Sequence, residues 1–279
     1  MDLGRFAIDT VTLSGTLEDK LRVTRDAGFG GVEIWAKDLT THPGGVPGAV
    51  AAVRASGLRV SSFQLLKDYE GLDAHLHDYK LEIARSLMDL VEAVGASVLV
   101  VASSTSPYAS GDMDKVAADL AQLAQVAAPR GIRIAFGAPA WARFINEYPA
   151  VWEAVRRAGQ PNLGVLVNVF HLLAKGTALA TLDRIPGDRI FLVQMADYLG
   201  DLRDITETAD HRRAFPNESA HRGIIADMLR RVHRAGYRGD YVFEVFNDEY
   251  LHLAPESVMA RARRAAQWVV EETTRPPSP

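Results

Sequence analysis

The chain reads as a single (β/α)8 barrel, and three observations predict it. A helix tail closed by Gly runs into a short apolar strand again and again, the repeat length suits one helix-plus-strand unit, and the units number eight. Gly just past a helix takes the left-handed conformation that closes the last turn, so each instance marks a helix C-terminus feeding a strand. In order, these are Gly28 before Gly31-Val32-Glu33-Ile34, Gly57 before Arg59-Val60-Ser61, and Gly95 before Ser97-Val98-Leu99-Val100. Gly131 then precedes Arg133-Ile134-Ala135-Phe136, Gly159 precedes Gly164-Val165-Leu166-Val167, and Gly236 precedes Tyr241-Val242-Phe243. The first five glycines lie 29, 38, 36 and 28 residues apart, and the last gap of 77 has room for two units. Phe6-Ala7-Ile8-Asp9 at the start and Ile190-Phe191-Leu192-Val193 within that gap complete eight strands. Eight strands alternating with helices over about 250 residues is the pattern of such a barrel. A doubly wound open sheet, the alternative, normally needs fewer units.

Composition narrows the function classes. A chain of 279 residues with 48% apolar content is long enough for one large core. Residues 1–272 are expected to form the barrel and 273–279, rich in Pro, a disordered tail. The 31 basic and 35 acidic residues give a net charge of −4, with the basic residues spread along helices, which argues against a nucleic-acid partner. With no Cys, thiolate nucleophiles, disulfides and Cys-ligated zinc are excluded. No 18-residue apolar stretch is present, so neither a membrane span nor a membrane partner is expected, and the chain reads as cytoplasmic. No Gly-rich phosphate loop or dinucleotide fingerprint appears.

Barrel chemistry sits at the C-terminal ends of the strands. Those ends read Asp9-Thr10, Glu33-Ile34-Trp35, Phe63-Gln64 with Lys67 beyond, and Ser103-Ser104. They continue as Phe136-Gly137-Ala138-Pro139, Asn168-Val169-Phe170-His171, Gln194-Met195-Ala196-Asp197 and Glu244-Val245-Phe246-Asn247. A long polar connection after the seventh strand, about 197–221, carries His211, Arg213 and Phe215, and loops of that length are more often functional than incidental.

These residues carry a resemblance. The chain resembles the xylose-isomerase-like barrel superfamily of sugar isomerases and epimerases, and within it bacterial 3-dehydroshikimate dehydratases, including those fused to a dioxygenase-like domain. The similarity runs from Asp9-Thr10-Val11-Thr12-Leu13-Ser14-Gly15-Thr16 to Glu244-Val245-Phe246-Asn247-Asp248. It takes in Phe63-Gln64, Asp68-Tyr69-Glu70-Gly71, Ser103-Ser104, Ala140-Trp141 and Phe215-Pro216. The resemblance implies a divalent metal held at four strand ends by Glu, Asp, Gln or His, and Glu. Here the first two matching positions hold Gly137 and Asn168, while Gln194 and Glu244 remain. Hard cations want oxygen ligands and negative charge, and Glu244 alone would leave a divalent ion uncompensated. No metal and no other cofactor are therefore expected.

What remains is general acid/base proton transfer beside a carbonyl, as in a dehydratase, isomerase or cyclase. The substrate would be an oxygen-rich or cyclic small molecule, non-standard and of a secondary-metabolite kind, and larger than 3-dehydroshikimate, since Gly137 clears volume at the mouth. The expected catalytic residues are His171, in the place of the family's proton-transferring His, with Glu244, Gln194 and Asn168. Packing beneath the loop is the alternative for His171. Expected around the substrate are Glu33, Gln64, Lys67, Lys175, His211 and Arg213, with Phe136, Trp141 and Phe170 as apolar lining. Two further readings stay open: a metal enzyme whose site is completed by His171 or Glu33, and a non-catalytic barrel binding a ligand or protein. A homo-oligomer is compatible with the resemblance.

Overall fold

The computed structural model describes residues 3–206 and 211–274. Seven parallel strands follow one another as β1 (Phe6–Asp9), β2 (Gly31–Trp35), β3 (Arg59–Lys67), β4 (Val98–Ala102), β5 (Arg133–Gly137), β6 (Leu163–Asn168) and β7 (Ile190–Met195). A short antiparallel pair, β8 (Asp197–Tyr198) and β9 (Arg213–Ala214), interrupts the series before β10 (Tyr241–Phe243) pairs with both β7 and β1 and closes the barrel. The predicted fold is the observed one.

Helices alternate with the strands because their sequences carry both ends of each helix. Helix α1 (Leu17–Asp26) opens on a capping box, in which Thr16 Oγ1 accepts the Asp19 N–H at 3.2 Å and the Asp19 carboxylate reaches back. After α2 (Ala36–Thr40) and α3 (Gly45–Ser56), helix α4 (Ala74–Val94) starts on the Asp73 side chain and stops at Gly95, whose φ of 75° is left-handed. Its buried residues His77, Leu81, Ala84, Met88 and Val91 recur every three or four positions and form one stripe against the barrel. All six glycines that marked helix ends have positive φ. Helices α5 (Met113–Ala127), α6 (Tyr148–Ala158), α7 (Val169–Lys175), α8 (Arg222–Arg234) and α9 (Pro255–Thr274) complete the outer layer. Helix α9 runs through Thr273 and Thr274, two residues past the expected boundary, and the rest of the expected tail lies outside the described residues.

Strand alternation splits the core in two. In β4, Leu99 and Val101 face the helices, while Val98 and Val100 join Ala7, Ala135, Leu166, Phe191, Leu192 and Val242. Members of this second cluster come only from strands, and from all around the barrel, so they meet across its interior. They form the apolar plug beneath the mouth. Full burial of each Val, Leu or Phe side chain here contributes about 1.5–3 kcal/mol.

Candidate active site

Asn168 organises the mouth. It ends β6 and caps α7, its Oδ1 accepting the His171 N–H at 3.3 Å. The Tyr148 hydroxyl fixes its backbone, accepting from Asn168 N at 2.6 Å and donating to Asn168 O at 3.1 Å. With Oδ1 turned to the helix, Nδ2 faces the mouth and donates to Gln194 Oε1 at 2.9 Å and Glu244 Oε2 at 2.8 Å. Gln194 stands level with Asn168 in the β6–β7 register and hands the chain on, Nε2 donating to Glu33 Oε1 at 2.8 Å. Glu33 Oε2 accepts from the Ser62 hydroxyl. Asp9, level with Glu33 across β1 and β2, accepts from the Gln64 amide and from Val11 N–H.

Arg213 completes the charge pattern. The β8–β9 pairing folds the long connection back on itself, and Arg213 N donates to Phe246 O at 2.9 Å. Its guanidinium lies buried between the rings of Phe170 (4.3 Å) and Phe246 (4.9 Å) and donates to Glu244 Oε2 at 2.5 Å. Oxygens of Asp9, Glu33 and Glu244 all lie within 4.8 Å of one another, and all three residues are buried. Three carboxylates beside one guanidinium cannot all stay ionised in so dry a place. Burial, then the Glu33 and Glu244 charges, drives the Asp9 carboxyl well above its usual range. Burial also raises Glu33 to about 7.

Above this network opens a cavity of about 110 Å³. Its polar wall is Gln64, Lys67, Asp68, Ser103, Thr105, Asn168, His171, Gln194, Arg213 and Glu244. Its apolar wall is Val100, Ala102, Pro139, Leu166, Trp141 and Phe246. Asp9 and Glu33 do not line it; Gln64 and Gln194 lie between. The His171 ring meets Trp141 edge-on at 4.8 Å, and its Nδ1 accepts from Ala140 N–H at 3.4 Å. Burial, then the positive charges of Arg213 and Lys67, holds its pKa well below 6.5. The ring is thus neutral near pH 7, and because Nδ1 accepts, Nε2 carries the proton.

A family model for the xylose isomerase-like TIM barrel matches residues 21–271. The chain belongs to that family. It is 38% identical over 270 residues to a 3-dehydroshikimate dehydratase of Pseudomonas aeruginosa, covering 96% of this chain and 42% of that protein. A Pseudomonas putida protein of the same name is 37% identical over 269 residues, with the same coverage of each. A solved xylose isomerase-like TIM barrel/4-hydroxyphenylpyruvate dioxygenase fusion protein superposes with a TM-score of 0.91 at 34% identity, covering 96% of this chain and 43% of that one. The chain thus spans less than half the length of these relatives.

Within this family frame most of the expected site residues converge. Asn168, Gln194, Glu244, Gln64, Lys67, Arg213, His171 and Trp141 line one cavity, with Glu33 just beneath it. Four do not reach it. Phe136 is fully buried on the helix side of β5, because strand alternation points Ala135 and Gly137 inward and Phe136 outward. Phe170 packs behind the cavity against Arg213. Lys175, at the end of α7, stands 4.0 Å from Glu147 near the surface. The exposed His211 pairs with Asp248 at 3.1 Å.

Beside Glu244, β1 and β2 deliver Asp9 as well as the expected Glu33. One expectation about the mouth needs correcting: Gly137 does not leave open space, since a Cβ built there would lie 2.8 Å from Leu166 Cδ2 and 3.1 Å from Cγ, so Leu166 occupies that volume. Asp9, Ser62 and Tyr148 were missed as site residues. For Asp9 the signal was available in its position at the end of the first strand.

Proposed function

We propose that the chain is a dehydratase- or isomerase-type enzyme that moves protons beside a carbonyl of a small cyclic substrate, without a metal. The relatives named as dehydratases support the reaction class. The observation that carries it is the pairing, in one cavity, of a carboxylate fixed by Arg213 and Asn168 with a neutral imidazole.

The family's divalent metal fits these residues poorly. At its four strand-end positions stand a glycine backed by Leu166, an asparagine presenting N–H groups, a glutamine and one carboxylate. Glu244 Oε2 already accepts from Arg213 and Asn168, and the Asp9 and Glu33 oxygens accept from Gln64, Val11, Ser62 and Gln194. A cation placed there would face hydrogen atoms and a guanidinium.

Glu244 is the base in this scheme. Arg213 and Asn168 hold its Oε2 in place, and the carboxylate takes a proton from the carbon next to the substrate carbonyl. His171 Nε2–H and the Lys67 ammonium have no protein partner among the described residues, and they meet the negative charge that develops on the carbonyl oxygen. The proton on Glu244 then goes to a departing hydroxyl in a dehydration, or back to a neighbouring carbon in an isomerisation. Asn168 and Gln194 act as positioning residues, since both amide hydrogens of Asn168 are committed inside the network. His171 accordingly serves as donor and not as first base.

The test uses 3-oxocyclohex-1-ene-1-carboxylate, a cyclic keto acid without vicinal hydroxyls, as probe in deuterated buffer, with NMR following exchange of the protons beside its carbonyl. Wild-type protein should catalyse exchange, and Glu244→Gln should lower the rate by about 100-fold or more. Exchange unaffected by Glu244→Gln would overturn the assignment of the base.

A further inference from the structure

The floor of the cavity does not match a polyhydroxylated substrate. Leu166 occupies the space into which a side chain on Gly137 would project, its Cδ2 2.8 Å from a Cβ built there. It is continuous with Val100 and Ala135 in the barrel plug. Above it the same side of the cavity is finished by Ala102, Pro139 and Trp141. None of Val100, Ala102, Pro139 and Leu166 offers a side-chain hydrogen bond, so a hydroxyl set against them would lose its water without a replacement partner, an outcome that sites discriminate against strongly. Polar side chains line the rest of the cavity, among them Lys67, Ser103, Thr105, Arg213, His171 and Glu244.

We infer that Gly137 and Leu166 form a matched pair that sets substrate specificity, selecting a cyclic acid with a planar, apolar ring face against Leu166 and its oxygen groups toward Lys67 and His171. This rests on the cavity being the substrate site as proposed above. A Gly at 137 lets the Leu166 side chain lie across the floor, and Leu166 in turn leaves no room for a larger residue at 137. The pair removes the wet, charged floor that would hold vicinal hydroxyls and supplies a dry surface for one face of a ring.

Two monocarboxylates of equal ring size separate the possibilities, 3-hydroxybenzoate with a planar apolar face and shikimate with three hydroxyls. Isothermal titration of the wild-type protein should show 3-hydroxybenzoate binding at least about 10-fold more tightly, the scale of one well-buried apolar contact. Leu166→Ser should narrow that ratio about 10-fold with the circular dichroism spectrum unchanged. Leu166→Met, which keeps an apolar floor if the Ser variant fails to fold, should retain it. Equal affinity, a preference for shikimate, or a ratio indifferent to residue 166 would overturn the inference while leaving the proton-exchange assignment standing. Binding of neither acid, together with absence of catalysed exchange, would overturn both.

Discussion

The two halves of the barrel mouth are built on opposite principles. The half formed by β1, β2, β3, β7 and β10 is a closed hydrogen-bond network, in which Asp9, Glu33, Ser62, Gln64, Gln194 and Glu244 lock one another in position. The half formed by β4, β5 and β6 has an apolar floor, with Val100, Ala102, Gly137 and Leu166 facing the cavity and Ser103 and Thr105 lining it just beyond β4. Asn168 sits at the seam and donates toward the polar side. The polar half fixes Glu244 and its charge partner Arg213 in one geometry, while the apolar half only sets shape. Substitutions in the first half should therefore alter charge balance and rate, and those in the second should alter which ligand is held.

The largest effect is expected from removing the cation paired with Glu244. Arg213→Ala strips Glu244 of a buried partner and opens space between Phe170 and Phe246, and should lower stability by about 3–5 kcal/mol in urea denaturation. A change below about 1 kcal/mol would show that solvent already screens Glu244 and that the network is looser than described. Next comes His171, beside Trp141. His171→Ala should slow proton exchange about 100-fold with the fold intact, and His171→Gln, which keeps an N–H, should recover part of the loss. Equal rates in wild type and His171→Ala would make the ring a packing group against Trp141.

A smaller effect concerns pH. Glu33 titrates at about 7 in the folded protein against an ordinary value of 4.5, so the folded state holds an extra proton between these limits. That contribution to stability is complete below about pH 4.5 and disappears as pH rises through 7. Glu70, raised by burial to about 8 while accepting from Ser104 N–H at 2.6 Å, acts in the same direction. Stability measured from pH 5 to 8 should fall, and Glu33→Gln should flatten the profile by on the order of 2 kcal/mol. A profile unchanged by that substitution would mean that Glu33 is ionised throughout.

What could be read from the sequence follows from how local each cause is. The helix ends were legible because a left-handed cap is decided by Gly95 or Gly57 alone. Asn168, Gln194 and Glu244 were legible as strand ends, and their convergence followed from barrel closure. Asp9 and Glu33 were each legible as strand ends, but their side-by-side placement was hidden, since it depends on the register between β1 and β2. The burial of Arg213 was hidden too, because a polar connection gives no sign that β8 and β9 will fold it over Glu244. Phe136 was misplaced although the evidence was in hand: with Gly137 turned inward, period-two alternation sends its neighbour outward. The filling of the Gly137 space by Leu166 is a rotamer choice on a neighbouring strand, and no spacing reveals it.

That last point changes how the family's metal positions can be rebuilt. Gly137→Glu with Asn168→Asp would collide with Leu166, whereas adding Leu166→Ala makes room for the new side chain. Only the triple variant should gain measurable Mn2+ affinity by titration, and tight binding by the double variant would show that Leu166 swings aside freely.

The most direct test of the central claim is metal analysis of the purified wild-type protein, paired with the proton-exchange rate before and after exhaustive chelation. The account predicts less than about 0.1 equivalent of divalent metal and an unchanged rate, because Glu244 is held by Arg213 and Asn168 and no step passes through an ion. About one equivalent of bound metal, with exchange lost on chelation and restored by Mn2+ or Co2+, would contradict it.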